Sequence, residues 1–228
     1  MKLALDFLGY VVLTVVTMLP IINPLGTAVL LLGIGAHLAE DERNRQIRRA
    51  CIYMTVILVT FLLLGSLIMK FFGISIPGLR MAGGLVIAFI GFRMLFPDDK
   101  PISPDALAEM QERSDIAFTP LAMPSLSGPG SIATVVTMSA GIQQGSTGLR
   151  EVIEYGGVIV GILVTSLICF LVLRGATGMR RLLGASGVGA MSKVMGFLLI
   201  CIGVQFVING ISDLLADPSF GGLVAAED

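Results

Sequence analysis

The chain has 228 residues, of which 55% are hydrophobic and only 14% are charged, and its formal net charge is −1. Soluble domains carry about 25% charged residues, so this composition excludes an ordinary soluble domain. The near-neutral charge also excludes a basic surface of the kind that binds nucleic acid. The composition therefore indicates an integral membrane protein whose surroundings are the lipid bilayer.

The charged residues are confined to the borders of long apolar segments. Segments of roughly 20 apolar residues are long enough to cross a bilayer. Five such segments lack Asp, Glu, Lys and Arg: residues 7–36, 50–69, 116–149, 155–173 and 194–212. A sixth, residues 74–96, carries Arg80 and Arg93 near its ends, where long side chains can reach the membrane surface. The sequence thus predicts an all-α membrane protein with six transmembrane segments.

The first segment is interrupted by prolines, an amide and a glycine. At about 30 residues it is too long for one straight crossing, and proline disfavours helix at the residue before it. We predict a break over residues 20–26 that divides the segment into two half-length helices. The second of these is expected over residues 25–35, with Asn23 as its N-cap and Pro24 as its first residue.

The fourth segment repeats this interruption. At a constant offset of 104 residues, Pro20, Asn23, Gly26 and Thr27 recur as Pro124, Ser127, Gly130 and Ser131. We predict that the fourth segment also breaks, and that Ser127 caps a half-helix beginning near Pro129. Irregular backbone at membrane depth is tolerated only where it is buried in protein or lines a wet cavity. Two broken segments in corresponding positions of two half-chains point to a transporter binding site.

The two halves are predicted to be inverted repeats. Each half holds three segments, an odd number, so the second half enters the membrane upside down relative to the first. Gly84 and Gly91 of the third segment recur as Gly196 and Gly203 of the sixth, at an offset of 112. We predict one membrane domain over residues 1–228, divided into repeat one (about 5–96), an exposed linker (97–115), repeat two (about 116–213) and a short tail (214–228).

The positions of lysine and arginine predict the orientation. Eleven of the 15 Lys and Arg residues lie in the loops after segments one, three and five. Cytoplasmic loops carry an excess of Lys and Arg. Both termini are therefore predicted to lie on the periplasmic side.

Several linked motifs run along the chain: Pro20-x-x-Asn23-Pro24-x-Gly26, Gly73-Ile-Ser-Ile-Pro-Gly-Leu-Arg80, Pro120-Leu-Ala-Met-Pro124, Ser127-Gly128-Pro129-Gly130, Met195-Gly196-Phe197 and Gly203-Val204-Gln205-Phe206. Together these motifs resemble the MarC family, and the resemblance covers about residues 5–213. It implies a bacterial inner-membrane protein with six spans in two inverted halves. Some relatives import small neutral amino acids, so it also implies transport of a small zwitterion such as glycine or alanine.

The candidate substrate site combines the two breaks. Half-helices that point their amino ends toward the membrane centre offer unpaired N–H groups and about half a positive charge each. These groups suit a carboxylate, and freed carbonyls with nearby hydroxyls suit an ammonium. The alternative is that Asn23 and Ser127 only cap kinked helices. The candidate residues are Asn23, Pro24, Gly26, Thr27, Ser127, Gly128, Gly130 and Ser131.

No cofactor or metal site is expected. The three cysteines are widely spaced within apolar runs and are predicted to be small buried hydrophobes: Cys51, Cys169 and Cys201. No acidic residue is expected deep in any segment, so proton coupling, sodium coupling and uncoupled transport all stay open, as does the oligomeric state. Three polar residues in segments three and six are interpreted as interfacial anchors or helix–helix contacts rather than substrate contacts: Arg93, Gln205 and Asn209.

An enzyme is not expected. The only histidine, His37, belongs to a predicted loop away from Ser127, and serine chemistry needs a base. Gly128-Pro129-Gly130 is not followed by the Lys and Ser or Thr of a phosphate-binding loop. The rival functions are an exporter or a channel for another small metabolite or drug, since transport direction depends on gradients and on the relative energies of the two facing states.

Overall fold

The computed structural model describes residues 2–35, 38–97, 115–145 and 147–216. Most of the predicted linker, most of the predicted tail and His37 lie outside these ranges. Helices α1 to α7, together with an irregular wide-turn stretch that we call the broken segment, account for nearly all of the described residues. They are α1 (Lys2–Ile22), α2 (Pro24–Ile34), α3 (Glu40–Phe71), α4 (Ile76–Leu95), the broken segment (Ala117–Leu126), α5 (Pro129–Gly145), α6 (Leu149–Arg174) and α7 (Ala176–Ala216).

The all-α membrane class is confirmed. Within the described ranges, five helices are long and apolar enough to cross a membrane: α1, α3, α4, α6 and the Gly189–Ala216 part of α7. Helix α2 is apolar but shorter. The predicted fourth segment does not form one continuous helix, because its prolines divide it into the broken segment and the 17-residue α5.

The first segment breaks at a single residue, Asn23. The prediction of two half-length pieces is wrong for the first piece, because α1 begins at Lys2, runs through Pro20 and is 21 residues long. Asn23 adopts the left-handed conformation (φ 49°, ψ 66°), which asparagine tolerates better than most residues and which avoids the right-handed helix that a following proline disfavours. Its predicted role as N-cap is confirmed, since the N–H of Gly26 donates to Asn23 Oδ1 at 3.1 Å.

Helices α4 and α7 form the most extensive helix pair. A Cβ added to Gly84 would lie 2.5 Å from the carbonyl oxygen of Gly203, and one added to Gly91 would lie 2.5 Å from that of Gly196. Glycine at these positions lets the two backbones approach closely. An ion pair between an arginine near the start of α4 and an aspartate near the end of α7 also joins the two helices: Arg80 with Asp213.

The other spans pack around α6. Helix α1 runs parallel to it, because Tyr10 packs on Gly157 and Thr14 packs one turn further on Gly161. Helix α3 contacts α6, α5 and the broken segment. The hydroxyl of Ser166 in α6 donates to the carbonyl oxygen of Cys51 in α3 at 3.1 Å, a hydrogen bond between two spanning helices of the kind that stabilises membrane proteins.

Burial of the cysteines follows these helix contacts. Cys51 and Cys169 are buried, as predicted, whereas Cys201 is exposed. The prediction for Cys201 is wrong because Gly203, which faces α4, lies two positions further along α7. At 3.6 residues per turn, two positions correspond to about 200° around the helix. Cys201 therefore lies on the outer side of α7, which carries exposed apolar residues such as Phe197 and Val204.

We expect Gly84→Ala to destabilise the α4–α7 pair, because the new methyl group would force two backbones apart. Overpacking of this kind costs about 1–3 kcal/mol, which should lower the melting temperature of the purified protein by several degrees. Gly141→Ala in α5 is the matched control, since a Cβ there meets nothing within 4 Å. Equal melting temperatures for the two variants would contradict the close contact between α4 and α7.

Candidate functional site

The two breaks line a single cavity of about 670 Å³. Most of the residues predicted from the sequence are brought together there: Asn23, Gly26, Thr27, Gly128, Gly130 and Ser131. Pro24 and Ser127 do not line this cavity. Pro24 is buried as the first residue of α2, and the side chain of Ser127 is 0% exposed.

At the first break, Asn23 joins α2 to the last turn of α4. Its side-chain oxygen accepts the hydrogen bond from Gly26, and its Nδ2 donates to the sulfur of Met94 at 3.1 Å. The backbone carbonyl of Asn23 accepts from the hydroxyl of Thr27 at 3.3 Å. Both the oxygen and the nitrogen of the Asn23 side-chain amide are therefore hydrogen-bonded, which orients the first turn of α2 beside the cavity.

The second break is longer and less regular than the first. Thr119 and Met123 have extended backbone, and the peptide bonds that follow them, to Pro120 and Pro124, are cis. Wide-turn hydrogen bonds hold the remainder, with Ser127 N–H donating to the carbonyl of Ala122 at 2.8 Å. Backbone groups that could not be satisfied by lipid are thereby paired within the protein.

Helix α5 begins at Pro129, near the predicted position, but Ser127 does not cap it. The carbonyl of Gly128 accepts the first helical bond, from the N–H of Ile132 at 3.0 Å. The buried hydroxyl of Ser127 has no hydrogen-bond partner among the described residues. The prediction fails because Pro24 directly follows Asn23, whereas Gly128 separates Ser127 from Pro129, the first residue of α5. Instead, Ser131 Oγ donates back to the carbonyl of Leu126 at 3.3 Å.

The two breaks contact each other directly. The hydroxyls of Thr27 and Ser125 lie 2.7 Å apart and share a hydrogen bond. A Cβ added to Gly130 would come within 3.4 Å of the Ile21 side chain and would clash with that of Ile87. Ser125 was not predicted, because the offset of 104 pairs it with apolar Ile21. The sequence signal that could have identified Ser125 is its position in a stretch that is interrupted by prolines.

One face of α4 forms a wall of the cavity. Ile87, Ile90 and Met94 line it, and their spacing of three and four residues places them on the same side of the helix. Arg93 lines it as well and is the only charged residue among the described lining residues. Arg93 is exposed in the last turn of α4, so its place at the cavity does not test the interpretation of this residue as an interfacial anchor.

Gln205 and Asn209 do not take part in this site. Gln205 Nε2 donates to Asn209 Oδ1 at 2.8 Å, one turn along the same helix, and both residues are exposed. Their spacing of four residues allows the two amides to pair with each other. The interpretation of these two residues as contacts between helices is not supported within the described part of the chain.

One acidic residue near the end of a spanning helix is buried. Glu154, in the second turn of α6, has a side chain that is 1% exposed, and it accepts a hydrogen bond from Arg150 Nε at 2.9 Å. The sequence places Glu154 near the end of a segment, where exposure is the default. Its burial results from the parallel packing of α1 on α6, which brings Tyr10 onto the next turn at Gly157. Glu154 does not line the cavity.

The described residues that line the cavity are mostly apolar, with neutral hydrogen-bonding groups at the two breaks and Arg93 as the one charged residue. No cluster of His, Cys, Asp or Glu that could hold a metal ion occurs among the described residues. Hydroxyls are contributed by Thr27, Ser125 and Ser131, and the amino ends of α2 and α5 border the cavity. Such helix ends attract negatively charged groups.

Comparison with known proteins places the chain in a family. Residues 8–215 match the family described as MarC family integral membrane protein. Relatives named UPF0056 inner membrane protein MarC, from Escherichia coli strain K12 and from Shigella flexneri, are each 45% identical over 217 residues, which cover 92% of this chain and 98% of theirs. No solved structure matches the chain significantly. With this match over most of its length, the chain belongs to the MarC family of integral membrane proteins.

Proposed function

We propose that this protein is a secondary transporter of small neutral amino acids, of the glycine and alanine class, that works by alternating access in the bacterial inner membrane. The observation that carries the proposal is that two broken segments meet at one cavity, through the hydroxyls of Thr27 and Ser125. Transporters build substrate sites from discontinuous helices at the interface of two repeats.

The contacts support an inverted repeat of six segments, in which α1 with α2 and the broken segment with α5 are corresponding crossings. Gly84 contacts Gly203, and the offset of 112 converts this pair into Gly196 and Gly91, which are also in contact. At the breaks, the offset of 104 relates Thr27 and Ser125, which are in contact, to Ser131 and Ile21, and Ile21 lies beside Gly130, the residue before Ser131. Reciprocal contacts of this kind are expected of two halves related by a two-fold axis.

The cavity extends from the middle of α4 to its carboxyl end, where Arg93, Pro97 and Ser192 line it. The proposed orientation, with both termini periplasmic, puts this end on the cytoplasmic side. The structure then corresponds to an inward-facing state. Alternating access requires a second state in which this end closes and the opposite end opens.

The substrate chemistry follows from the groups at the breaks. A carboxylate is held by the amino ends of α2 and α5, and an ammonium is held by carbonyl and hydroxyl oxygens around Asn23 and Ser125. Such a carrier can be driven by a proton or a sodium gradient. No catalytic activity is proposed, because neither histidine nor a carboxylate is found among the described lining residues.

The size of the cavity favours one alternative, an exporter or channel for a larger metabolite or drug. A volume of 670 Å³ corresponds to roughly 20 water molecules at about 30 Å³ each, and drug-sized ligands occupy pockets of about 300–1,000 Å³. Saturable uptake with counterflow would indicate a carrier, whereas large flux without saturation would indicate a channel.

We expect proteoliposomes containing this protein to take up labelled glycine and alanine with saturation when a proton gradient or a sodium gradient is imposed. The gradient that drives uptake identifies the coupling ion. Asn23→Ala removes a helix cap and the contact with Met94, and we expect it to lower the uptake rate roughly tenfold, equivalent to about 1.4 kcal/mol.

Thr60→Val is the control variant, because Thr60 is exposed and its hydroxyl bonds only to the carbonyl of Val56 within α3. Uptake is normalised to the amount of reconstituted protein in a quantitative blot. Loss of protein in parallel with loss of uptake would assign Asn23 to structure alone. Absence of uptake by folded wild-type protein in either gradient would remove the amino-acid assignment.

Reporter fusions test the proposed orientation. A fusion at the C-terminus is expected to be active only with a reporter that works in the periplasm, whereas a fusion after α4 should be active only with a cytoplasmic reporter. The reason is the excess of Lys and Arg in the loops after segments one, three and five. The opposite pattern would reverse the facing state assigned to the cavity.

A further inference from the structure

Two side-chain amides lie on an exposed face of α7 at membrane depth. Gln205 and Asn209 are both exposed, and within the described part of the chain they hydrogen-bond only to each other. Gln205 lies eleven residues before the end of α7 at Ala216, or about 16 Å at 1.5 Å per residue, which is near the middle of a hydrocarbon layer about 30 Å thick. Lipid offers amides no hydrogen bonds. This face of α7 is therefore expected to meet water or protein at some stage of the transport cycle.

The packing of α4 against α7 is reciprocal at an offset of 112 residues. A Cβ added to Gly84 would lie nearest to three residues of α7: Gly203, Phe206 and Val207. Gly84 corresponds to Gly196 at this offset, and a Cβ added to Gly196 would lie nearest to the counterparts of those three residues: Gly91, Met94 and Leu95. An approximate two-fold axis therefore relates α4 to α7. Because the two helices are antiparallel, this axis also exchanges the two surfaces of the membrane.

The face of α4 that lines the cavity has a counterpart on α7. Ile87 corresponds to Leu199, and both line the cavity. Four more lining residues lie in or just beyond the last two turns of α4: Ile90, Arg93, Met94 and Pro97. Their counterparts on α7 lie toward the opposite surface of the membrane: Ile202, Gln205, Phe206 and Asn209. The two exposed amides thus occupy the positions that correspond to Arg93 and Pro97.

We propose that Gln205 and Asn209 line the substrate cavity when it opens to the opposite side of the membrane, in the second state of the transport cycle. This inference rests on the proposed function, because it assumes alternating access. In the second state the two amides are in water, where their N–H groups can bind the carboxylate of a small neutral amino acid and their oxygens its ammonium. In the present state the cavity is closed on that side, and the hydrogen bond between the amides lowers the cost of their exposure.

The two-fold relation gives a different environment to the neighbouring residues of α7. Val204 and Ile208 are exposed at nearly the same depth as the amides. They correspond to Phe92 and Phe96, which are exposed but do not line the cavity. Val204 and Ile208 are therefore expected to stay in contact with lipid in both states.

The test adds cysteines one at a time to a Cys201→Ala variant, since Cys201 is the exposed native cysteine. Sealed vesicles of both orientations are treated with a thiol reagent that does not cross membranes. Gln205→Cys is expected to react from one side of the membrane, and Ile90→Cys, at the present opening of the cavity, from the other side. Val204→Cys should react at least roughly tenfold more slowly than Gln205→Cys, because the reactive thiolate does not form in apolar surroundings.

A second pair of variants repeats this comparison one turn nearer the membrane surface. Asn209→Cys should react from the same side as Gln205→Cys, whereas Ile208→Cys should be as slow as Val204→Cys. This pair decides the question if Gln205→Cys does not fold.

The dependence on the facing state is tested in a variant that carries both Ile90→Cys and Gln205→Cys. A bulky reagent attached at position 90 holds the present opening apart, so the second state becomes rare and the reaction rate at position 205 should fall roughly tenfold. Gln205→Cys alone, treated with the same reagents in the same order, is the control.

Three results would overturn the inference: equal rates for Gln205→Cys and Val204→Cys, reaction of Gln205→Cys and Ile90→Cys from the same side, or an unchanged rate at position 205 after position 90 is modified. A disulfide between two chains through Gln205→Cys, without reaction with the reagent, would also overturn it and would assign this face to contact with a second copy. The labelling needs no substrate. The expected labelling without glycine or alanine uptake would end the amino-acid assignment alone, whereas uptake combined with equal rates for Gln205→Cys and Val204→Cys would end this inference alone.

Discussion

The structure depends on one constraint, which is that backbone N–H and C=O groups at membrane depth must find partners inside the protein. At the cavity, two stretches leave the regular helical pattern: one at Asn23 and one in the broken segment. They satisfy the constraint by wide-turn hydrogen bonds, by the Asn23 side chain and by packing against each other through Thr27 and Ser125. Because both stretches must be enclosed, they meet, and the space between them becomes the cavity.

The glycine contacts between α4 and α7 fix the position of α4, and α4 forms one wall of the cavity. Close approach of the two backbones turns one side of α4 toward α7 at Gly84 and Gly91 and leaves another side toward the breaks. That second side carries Ile87, Ile90, Arg93 and Met94. Helix α4 therefore packs closely on α7 with one face and lines the cavity with another.

The proposed transport activity draws on groups from both breaks. The amino ends of α2 and α5 are backbone features whose partial positive charges attract anionic groups. The face of α4 that carries Ile87, Ile90 and Met94 adds apolar area against which a ligand can be buried.

Features that depend only on residues adjacent in the chain could be predicted from the sequence alone. Helical spans follow from uncharged runs, and Asn23 caps α2 because asparagine followed by proline imposes that geometry locally. Features that depend on which helices pack together were decided only by the tertiary structure. In the structure, Ser127 does not cap a helix, and Cys201 lies on the outer side of α7. Glu154 is buried, and Arg93 lines the cavity. The physical reason is that burial is a property of a helix face against a partner helix, and apolar composition shows that a segment spans the membrane without showing which of its faces meets protein.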